Sequence, residues 1–354
     1  MNIDDYYAQY VSNTLAGTSN QLYYNQGVKA TAYAFYRIFA AGQFDYSLLY
    51  TNTIDSTYAD GSISKRNDPC GKWYIESLSV SPVNEITTAD LPEIQLTFNG
   101  EKSKIVLPDE IFFTDKISLN VKPNEYLRIK IVYNGEKIPC HIENQIPTFK
   151  NEGDGVIANK LLPLPSMIGV NRKIAKRIVF WGDSITQGIG CKENSYMNYC
   201  AICANALGVK YSFWNLGIGY GRATDAATNK AWAKKAVNCD TAIVCFGVND
   251  IFRVGDYRKI ITAYNKIIKI LSGKQIIFQC IPPFDYTKEQ GKLWLKLNKY
   301  VKNEISKKVF AVFDPSPILS DEKDVFHAKY GGHPNEDGSF LWGNALYAFL
   351  KDKL

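Results

Sequence analysis

The fold is decided by residues 177–184, which read RIVFWGDS: a short apolar run that ends in a glycine, an aspartate and Ser184. A second apolar run, TAIVCF at 241–246, ends similarly in GVND at 247–250. Short apolar runs bounded by turn-forming residues predict buried strands. Because ligands bind at the carboxyl ends of parallel strands, we expect Ser184 and Asn249 to lie close together at one edge of a sheet.

The same alternation continues through residues 176–354. Strand-like runs lie at 177–181, 210–214, 241–246, 275–281 and 309–313, and helical stretches lie at 196–207, 222–236, 257–271, 289–307 and 340–350. Strands that alternate with helices predict a parallel sheet with helices on both faces, which is the α/β class.

Residues from about 20 to 150 follow a different pattern, typical of all-β domains. Short strand-like runs lie at 105–107, 117–121 and 127–133, with turn signals at Asn99-Gly100, Lys122-Pro123-Asn124 and Asn134-Gly135. Strands at this spacing, without long helical stretches, predict a β-sandwich. The sequence therefore predicts an N-terminal β-sandwich domain at 1–150, a proline-containing linker at 151–175 and an α/β domain at 176–354.

The composition is that of an ordinary globular protein. The 354 residues are 46% apolar and carry a formal charge of +6, and the basic residues form no run of five or more. The chain is long enough for two domains, and its charge pattern argues against nucleic acid binding. No run approaches the roughly 18 apolar residues of a membrane span. Nothing in the sequence indicates the oligomeric state.

The N-terminus and the eight cysteines favour a cytoplasmic protein with reduced thiols. Residues 1–5 lack the basic and apolar regions of a secretory signal. Cys200 and Cys203 stand three apart, but no second such pair follows, so we expect no zinc site and no other metal. A secreted form from which the signal has been trimmed is the alternative.

Ser184 and His333 are candidates for nucleophilic catalysis. A serine hydroxyl is a poor nucleophile until a positioned base takes its proton. His333 is one of three histidines, and Pro334 after it indicates a stiff loop that could reach the edge of the sheet. The structural alternatives are an N-cap of a helix for Ser184 and a packing role for the histidine.

Asn249 and the segment GIGYGR at 217–222 are candidates for stabilising a developing negative charge. A side-chain amide and free backbone N–H groups can both donate to an oxyanion. The alternative for Asn249 is a simple turn at the end of a strand. A phosphate-binding loop is the alternative for the glycine-rich segment, but no Lys-Ser or Lys-Thr follows and the segment is not the first βα turn of its domain.

These motifs together resemble the SGNH, or GDSL-type, hydrolase superfamily. The resemblance rests on GDSITQG at 182–188, GVND at 247–250 and HPN at 333–335, and it covers about residues 175 to 354. It implies a flavodoxin-like SGNH hydrolase domain with a parallel sheet flanked by helices. The region before it is similar to the all-β, jelly-roll-like sandwich that precedes this domain in some two-domain carbohydrate esterases.

The resemblance also implies the roles of the site residues. Ser184 corresponds to the nucleophile, which is also an oxyanion donor through its N–H, Asn249 to the side-chain donor and His333 to the base. Gly221 corresponds best to the glycine donor, but the segment is one residue longer than usual, so Gly219 is the second choice.

One position departs from the family. The family usually has an aspartate three residues before the catalytic histidine, and Tyr330 occupies that position here. Asp324 stands three residues before His327, but no proline follows that histidine, so His333 remains the expected base. The orienting role then falls to a backbone carbonyl, or to Asp324 or Asp337 folding back towards the imidazole.

The resemblance implies an ester hydrolase without metal or other cofactor. Its domain layout favours a small-acyl, acetyl carbohydrate esterase, and the many aromatic residues of the chain suit packing against sugars. A lipase- or thioesterase-type acyl hydrolase is one alternative. A glycan-binding protein with a weakly active hydrolase domain is another, because the orienting acid is missing from its usual place.

Overall fold

The computed structural model describes residues 1–55, 70–152, 155–228 and 230–354. Within them the chain forms two antiparallel sheets in its N-terminal half and one parallel sheet flanked by helices in its C-terminal half. The predicted α/β class is therefore confirmed, with an antiparallel, β-rich region preceding the parallel sheet. The division at residues 150 and 175, and the jelly-roll character of the first part, remain predictions.

The N-terminal half begins with a short helix and continues almost entirely as strands. They are α1 (Ile3–Gln9), β1 (Val11–Ser12), β2 (Leu22–Arg37), β3 (Gly42–Thr51), β4 (Trp73–Val83), β5 (Ile94–Gln95), β6 (Lys104–Val106), β7 (Ile111–Phe113), β8 (Ile117–Val121), β9 (Tyr126–Cys140), β10 (Thr148–Glu152), β11 (Gly155–Ala158) and β12 (Met167–Asn171). One sheet has the order β1-β12-β3-β7, with β8 also paired to β3. The other has the order β11-β10-β2-β9-β4-β5, with β6 paired to β4. Strands β11 and β12 thus lie in the range predicted as a linker.

Two of the three predicted turns are present, and the third is wrong. Asn99 has a positive φ of 54°, and the N–H of Glu125 donates to the carbonyl of Lys122 across the second turn. Asn134-Gly135 does not turn but lies inside β9, opposite β4. A Cβ at Gly135 would collide with the Cβ of Trp73, so the glycine here allows two strands to approach closely.

The parallel sheet consists of strands that are buried along most of their length. They are β13 (Arg177–Gly182), β14 (Ser212–Asn215), β15 (Thr241–Cys245), β16 (Gln275–Gln279) and β17 (Ala311–Phe313). Their order is β14-β13-β15-β16-β17, which is the flavodoxin-like order 2-1-3-4-5. The strand order reverses between β13 and β15, and these are the two strands that precede Ser184 and Asn249. Both residues therefore lie where such sheets bind ligands.

The helices of the C-terminal half pack against this sheet. They are α2 (Ser184–Gln187), α3 (Tyr199–Leu207), α4 (Ala223–Ala226), α5 (Ala231–Ala236), α6 (Val248–Arg253), α7 (Tyr257–Ile270), α8 (Lys288–Tyr300), a π-helix (Val301–Ile305), α9 (Ser316–Leu319) and α10 (Glu336–Leu350). Helix α7 shows the local logic: Asp256 caps its N-terminus, and Ile260, Ala263 and Ile267 are buried at helical spacing. In the described part of the chain, no helix combines the length and hydrophobicity that crossing a membrane needs.

The helix predicted at 222–236 is wrong in extent, since two short helices, α4 and α5, occupy this range. The Thr228 hydroxyl donates to the carbonyl of Asp225 at 2.7 Å, a side-chain bond that competes with a continuing helix.

The N-terminal half lies along the edge of the parallel sheet, at β14. Gly17 forms a parallel bridge with Asn215, and the Trp214 indole donates to the Thr18 hydroxyl at 2.9 Å. A buried ion pair between Lys235 on α5 and Asp55, 2.7 Å long, joins the two halves a second time. These contacts bring residues that follow Thr18 towards the carboxyl ends of the parallel strands.

Candidate active site

Ser184 lies at the first position of α2, separated from the end of β13 by Asp183 alone. The capping role that the sequence left open belongs to Asp183, whose carboxylate accepts a hydrogen bond from the N–H of Ile185 at 3.0 Å. The Ser184 hydroxyl instead lies 2.8 Å from Nε2 of His333. Its position at a strand-to-helix turn therefore leaves the hydroxyl free for chemistry.

His333 lies in the loop before α10, with its ring partly buried. The ring packs edge-on against Phe284, with 5.0 Å between centroids. Burial lowers the pKa of His333 below its usual value, so the imidazole is neutral at pH 7. A neutral imidazole with its proton on Nδ1 can accept the proton of the Ser184 hydroxyl through Nε2.

Among the described residues, none of the candidates for an orienting acid forms a hydrogen bond to this ring. The Asp324 carboxylate accepts from the N–H of Phe326 at 3.0 Å, and the His327 ring lies 3.0 Å from Asp285 rather than on Asp324. Tyr330 packs its Cβ against Gly338. In the described part of the chain, the His333 side chain forms one hydrogen bond, and its partner is the Ser184 hydroxyl.

Asn249 lies in the first turn of α6, after β15. Gly247 makes this turn possible, since its φ is 140° and a Cβ there would lie 2.5 Å from the side chain of Ile281. The Asn249 amide donates to the carbonyl of Gly221 at 3.2 Å. That bond fixes the orientation of the amide and leaves its second N–H for a ligand.

The two candidate donor glycines of the 217–222 segment, Gly219 and Gly221, differ in what their N–H groups do. The N–H of Gly221 donates to the carbonyl of Ile218 at 3.1 Å, closing a turn, while its carbonyl holds Asn249. Gly219 lines the cavity beside Ser184. Between them, Tyr220 has a positive φ of 60°, which few residues with a side chain adopt.

Two buried carboxyl groups lie behind the strand ends. Burial raises the pKa of Asp183 to about 7, and the neighbouring Asp250 adds to this shift. Burial also raises the pKa of Asp250 to about 6, although its carboxylate accepts from the N–H groups of Ala223 and Thr224. Asp250 thereby fastens the start of α4 to α6, next to the loop that contains Gly221.

Ser184, Asn249 and His333 share one open cavity of about 650 Å³, here called the active-site cavity. It is lined by Gln21, Ile142, Ser184, Gln187, Ile189, Gly219, Tyr220, Val248, Asn249, Phe252, Arg253, Phe284 and His333. The structure thus brings together the serine, the asparagine and the histidine, with Gly219 rather than Gly221 on the wall.

Several lining residues were not predicted from the sequence. Gln21 and Ile142 come from the N-terminal half, and a Cβ at Gly219 would lie 2.5 Å from the Gln21 amide. Only the packing of the two halves brings them here. Phe252 and Arg253 follow Asn249 at three and four residues in α6, and this helical spacing was a signal that could have found them.

Part of the chain matches a known family, and several solved structures are similar to it. Residues 180–339 match the model of the GDSL-like lipase/acylhydrolase family, and no curated protein matches the chain significantly. A solved member of the lipolytic protein G-D-S-L family from Veillonella parvula DSM 2008 is 21% identical, with 50% of this chain and 99% of that chain covered at a TM-score of 0.41. A family two carbohydrate esterase from Clostridium thermocellum, in complex with cellohexaose, is 14% identical over 97% and 98% of the chains at a TM-score of 0.41. An M. smegmatis aryl esterase is 17% identical over 51% and 100% at a TM-score of 0.38.

The family match spans the serine, the asparagine and the histidine that meet in the active-site cavity, so residues 180–339 contain a GDSL-like lipase/acylhydrolase domain, which supports an ester hydrolase.

Proposed function

We propose that the protein is a small-acyl esterase in which Ser184 is the nucleophile and His333 the base. The observation that supports this most is the 2.8 Å contact between the Ser184 hydroxyl and Nε2 of His333, inside a cavity open to a ligand. The Ser184 oxygen attacks the ester carbonyl while its proton passes to Nε2. His333 then gives that proton to the leaving alcohol, and water releases the acyl group.

The oxyanion of the tetrahedral intermediate is held by the N–H groups of Ser184 and Gly219 and by the amide of Asn249. We choose Gly219 over Gly221 because the N–H of Gly221 already donates to a carbonyl. Each such donor contributes roughly 3 kcal/mol to the stabilisation of the transition state. His333 works without an orienting carboxylate, so Ser184 and His333 act as a dyad.

The substrate we propose is an acetylated carbohydrate. A cavity of about 650 Å³ is far larger than an acetyl group needs, so most of it is available to the alcohol part of the ester. Tyr220, Phe252 and Phe284 supply aromatic surface for an apolar sugar face, and the Gln21 amide supplies a hydrogen-bonding group. In this proposal the N-terminal half contributes directly to substrate recognition.

The test is release of acetate from acetylated xylo-oligosaccharides, together with a series of p-nitrophenyl esters from acetate to decanoate. We expect activity on the acetylated sugar and a decline beyond butyrate, with both lost in Ser184→Ala. The apolar lining by Ile142, Val248 and Phe252 favours a longer-chain acyl hydrolase as the second candidate. Rising activity with chain length and none on the acetylated sugar would support that candidate instead.

A further inference from the structure

The active-site cavity contains a cation for which the described part of the chain provides no counter-ion. Arg253 lies in α6, four residues after Asn249, and lines the cavity with it. Among the described residues, no carboxylate forms an ion pair with Arg253. We propose that Arg253 binds a carboxylate of the substrate, so that the enzyme prefers esters that carry a negative charge near the ester group. This inference rests on the proposed function and specifies its substrate class.

The charge of the cavity wall supports an anionic ligand. Among the described residues that line the cavity, Arg253 is the only one of the types Lys, Arg, Asp and Glu. Four carboxyl groups stand next in sequence to lining residues: Glu143, Asp183, Asp250 and Asp285. Burial raises the pKa of Glu143 to about 8 and that of Asp183 to about 7, so neither offers a full negative charge at neutral pH. The Asp250 carboxylate accepts from the N–H groups of Ala223 and Thr224, and the Asp285 carboxylate lies 3.0 Å from the His327 ring, so these two have partners other than Arg253.

The guanidinium is also held in a way that leaves its donors available. It lies over the ring of Tyr220, 5.5 Å from the centroid, at the cavity wall. This cation–π contact does not use the N–H groups as hydrogen-bond donors to an oxygen, and among the described residues the Arg253 side chain donates no hydrogen bond, so its N–H groups are available to an oxygen ligand. A carboxylate matches that planar edge, because it can accept two parallel hydrogen bonds.

The carboxylate could belong to the acyl part or to the alcohol part of the ester, and two pairs of substrates distinguish these sources. p-Nitrophenyl hemisuccinate against p-nitrophenyl butyrate tests a charge on a four-carbon acyl group. An acetylated methyl glucuronoside against the corresponding acetylated methyl glucoside tests a charge on the alcohol. In each pair the quantity compared is the ratio of kcat/KM for the charged ester to that for the neutral ester.

The variant is Arg253→Gln, with Arg258→Gln as the matched control on the outer surface of α7. We expect Arg253→Gln to lower the ratio about five- to tenfold in at least one pair, as for a partly exposed, charge-assisted contact. Arg258→Gln should keep the wild-type ratios, and Arg253→Lys should retain part of the preference. A general disturbance of the Tyr220 loop would lower both members of a pair alike and leave their ratio unchanged.

The inference is overturned if Arg253→Gln leaves both ratios at their wild-type values. If the wild type hydrolyses none of the four esters, the proposed function fails. The role of Arg253 is then tested separately, by measuring whether the protein binds an anionic sugar. Saturation-transfer NMR would then compare glucuronate with glucose on the wild type and on Arg253→Gln. A stronger glucuronate signal that disappears in the variant supports the anion site, and equal signals reject it.

Discussion

Replacing Asn249 with alanine should reduce kcat by roughly a hundredfold while KM changes by less than about threefold. The amide has two N–H groups, and one donates to the carbonyl of Gly221 at 3.2 Å. In the proposed mechanism the second N–H donates to the ester oxygen, which acquires charge only in the transition state. Its loss therefore raises the barrier more than it weakens the binding of the ground state.

The magnitude follows from the number of donors. With Ser184, Gly219 and Asn249 as donors, the alanine variant keeps two of three, so the loss corresponds to one donor, about 2.7–4 kcal/mol. Asn249→Asp has the same shape but puts an acceptor where a donor stood, and its loss should be larger. Asn249→Ala also leaves the Gly221 carbonyl without its hydrogen-bond donor. A control variant must therefore distinguish the loss of a structural hydrogen bond from the loss of an oxyanion donor.

The assay is steady-state hydrolysis of p-nitrophenyl acetate, with kcat and KM determined separately. Asn344→Ala is the control, because its amide also donates to a backbone carbonyl, that of Phe340, on α10 outside the cavity. Thermal unfolding of each variant checks that the fold persists. A rise in KM at unchanged kcat in Asn249→Ala would refute the oxyanion role.

Three other changes test the surroundings of the site. His333→Ala should abolish hydrolysis while His327→Ala retains most of it, and the wild-type kcat/KM should rise with pH around a midpoint below about 6.5, because burial lowers the pKa of His333; a pH-independent rate would contradict the imidazole base. Glu143 has its pKa raised by burial to about 8, so its stabilising neutral form is lost as pH rises through that value. The unfolding free energy of Glu143→Gln relative to wild type should therefore grow by roughly 1.4 kcal/mol per pH unit between about pH 5 and 8, and a pH-independent difference in urea titrations would count against it. Lys235→Met leaves the buried Asp55 carboxylate without its partner and should lower the free energy of unfolding, measured by urea titration, by about 3–5 kcal/mol. A decrease of less than about 1 kcal/mol would show that the ion pair does not hold the two halves together.

Local sequence was enough to predict the parallel sheet and two of the residues in the cavity, Ser184 and Asn249. The runs before Ser184 and Asn249 are buried strands, and parallel packing brings their ends to one edge. His333 was predicted from the resemblance of its motif, since no local pattern tells where a loop near the C-terminus will reach. That these three residues carry the catalysis remains a proposal.

The remaining features depend on packing between segments far apart in the chain. Gln21 reaches the cavity because residues 17–18 pair with β14, which no pattern around Gln21 indicates. The extra residue in the 217–222 segment left two glycines open as donors, and only the hydrogen bond of the Gly221 N–H separates them. Asn134-Gly135 predicts a turn, but this prediction is wrong because a close approach between two strands favours glycine as well.

The central claim is that Ser184 is a nucleophile activated by His333, and labelling with a p-nitrophenyl alkylphosphonate tests it most directly. Such a phosphonate leaves a stable adduct on an activated serine, which peptide mass spectrometry can locate. We expect one adduct per chain, on Ser184, with labelling slowed at least about a thousandfold in His333→Ala, because the nucleophile and its base act as a unit. Labelling of another residue, or equal labelling rates with and without His333, would contradict the mechanism.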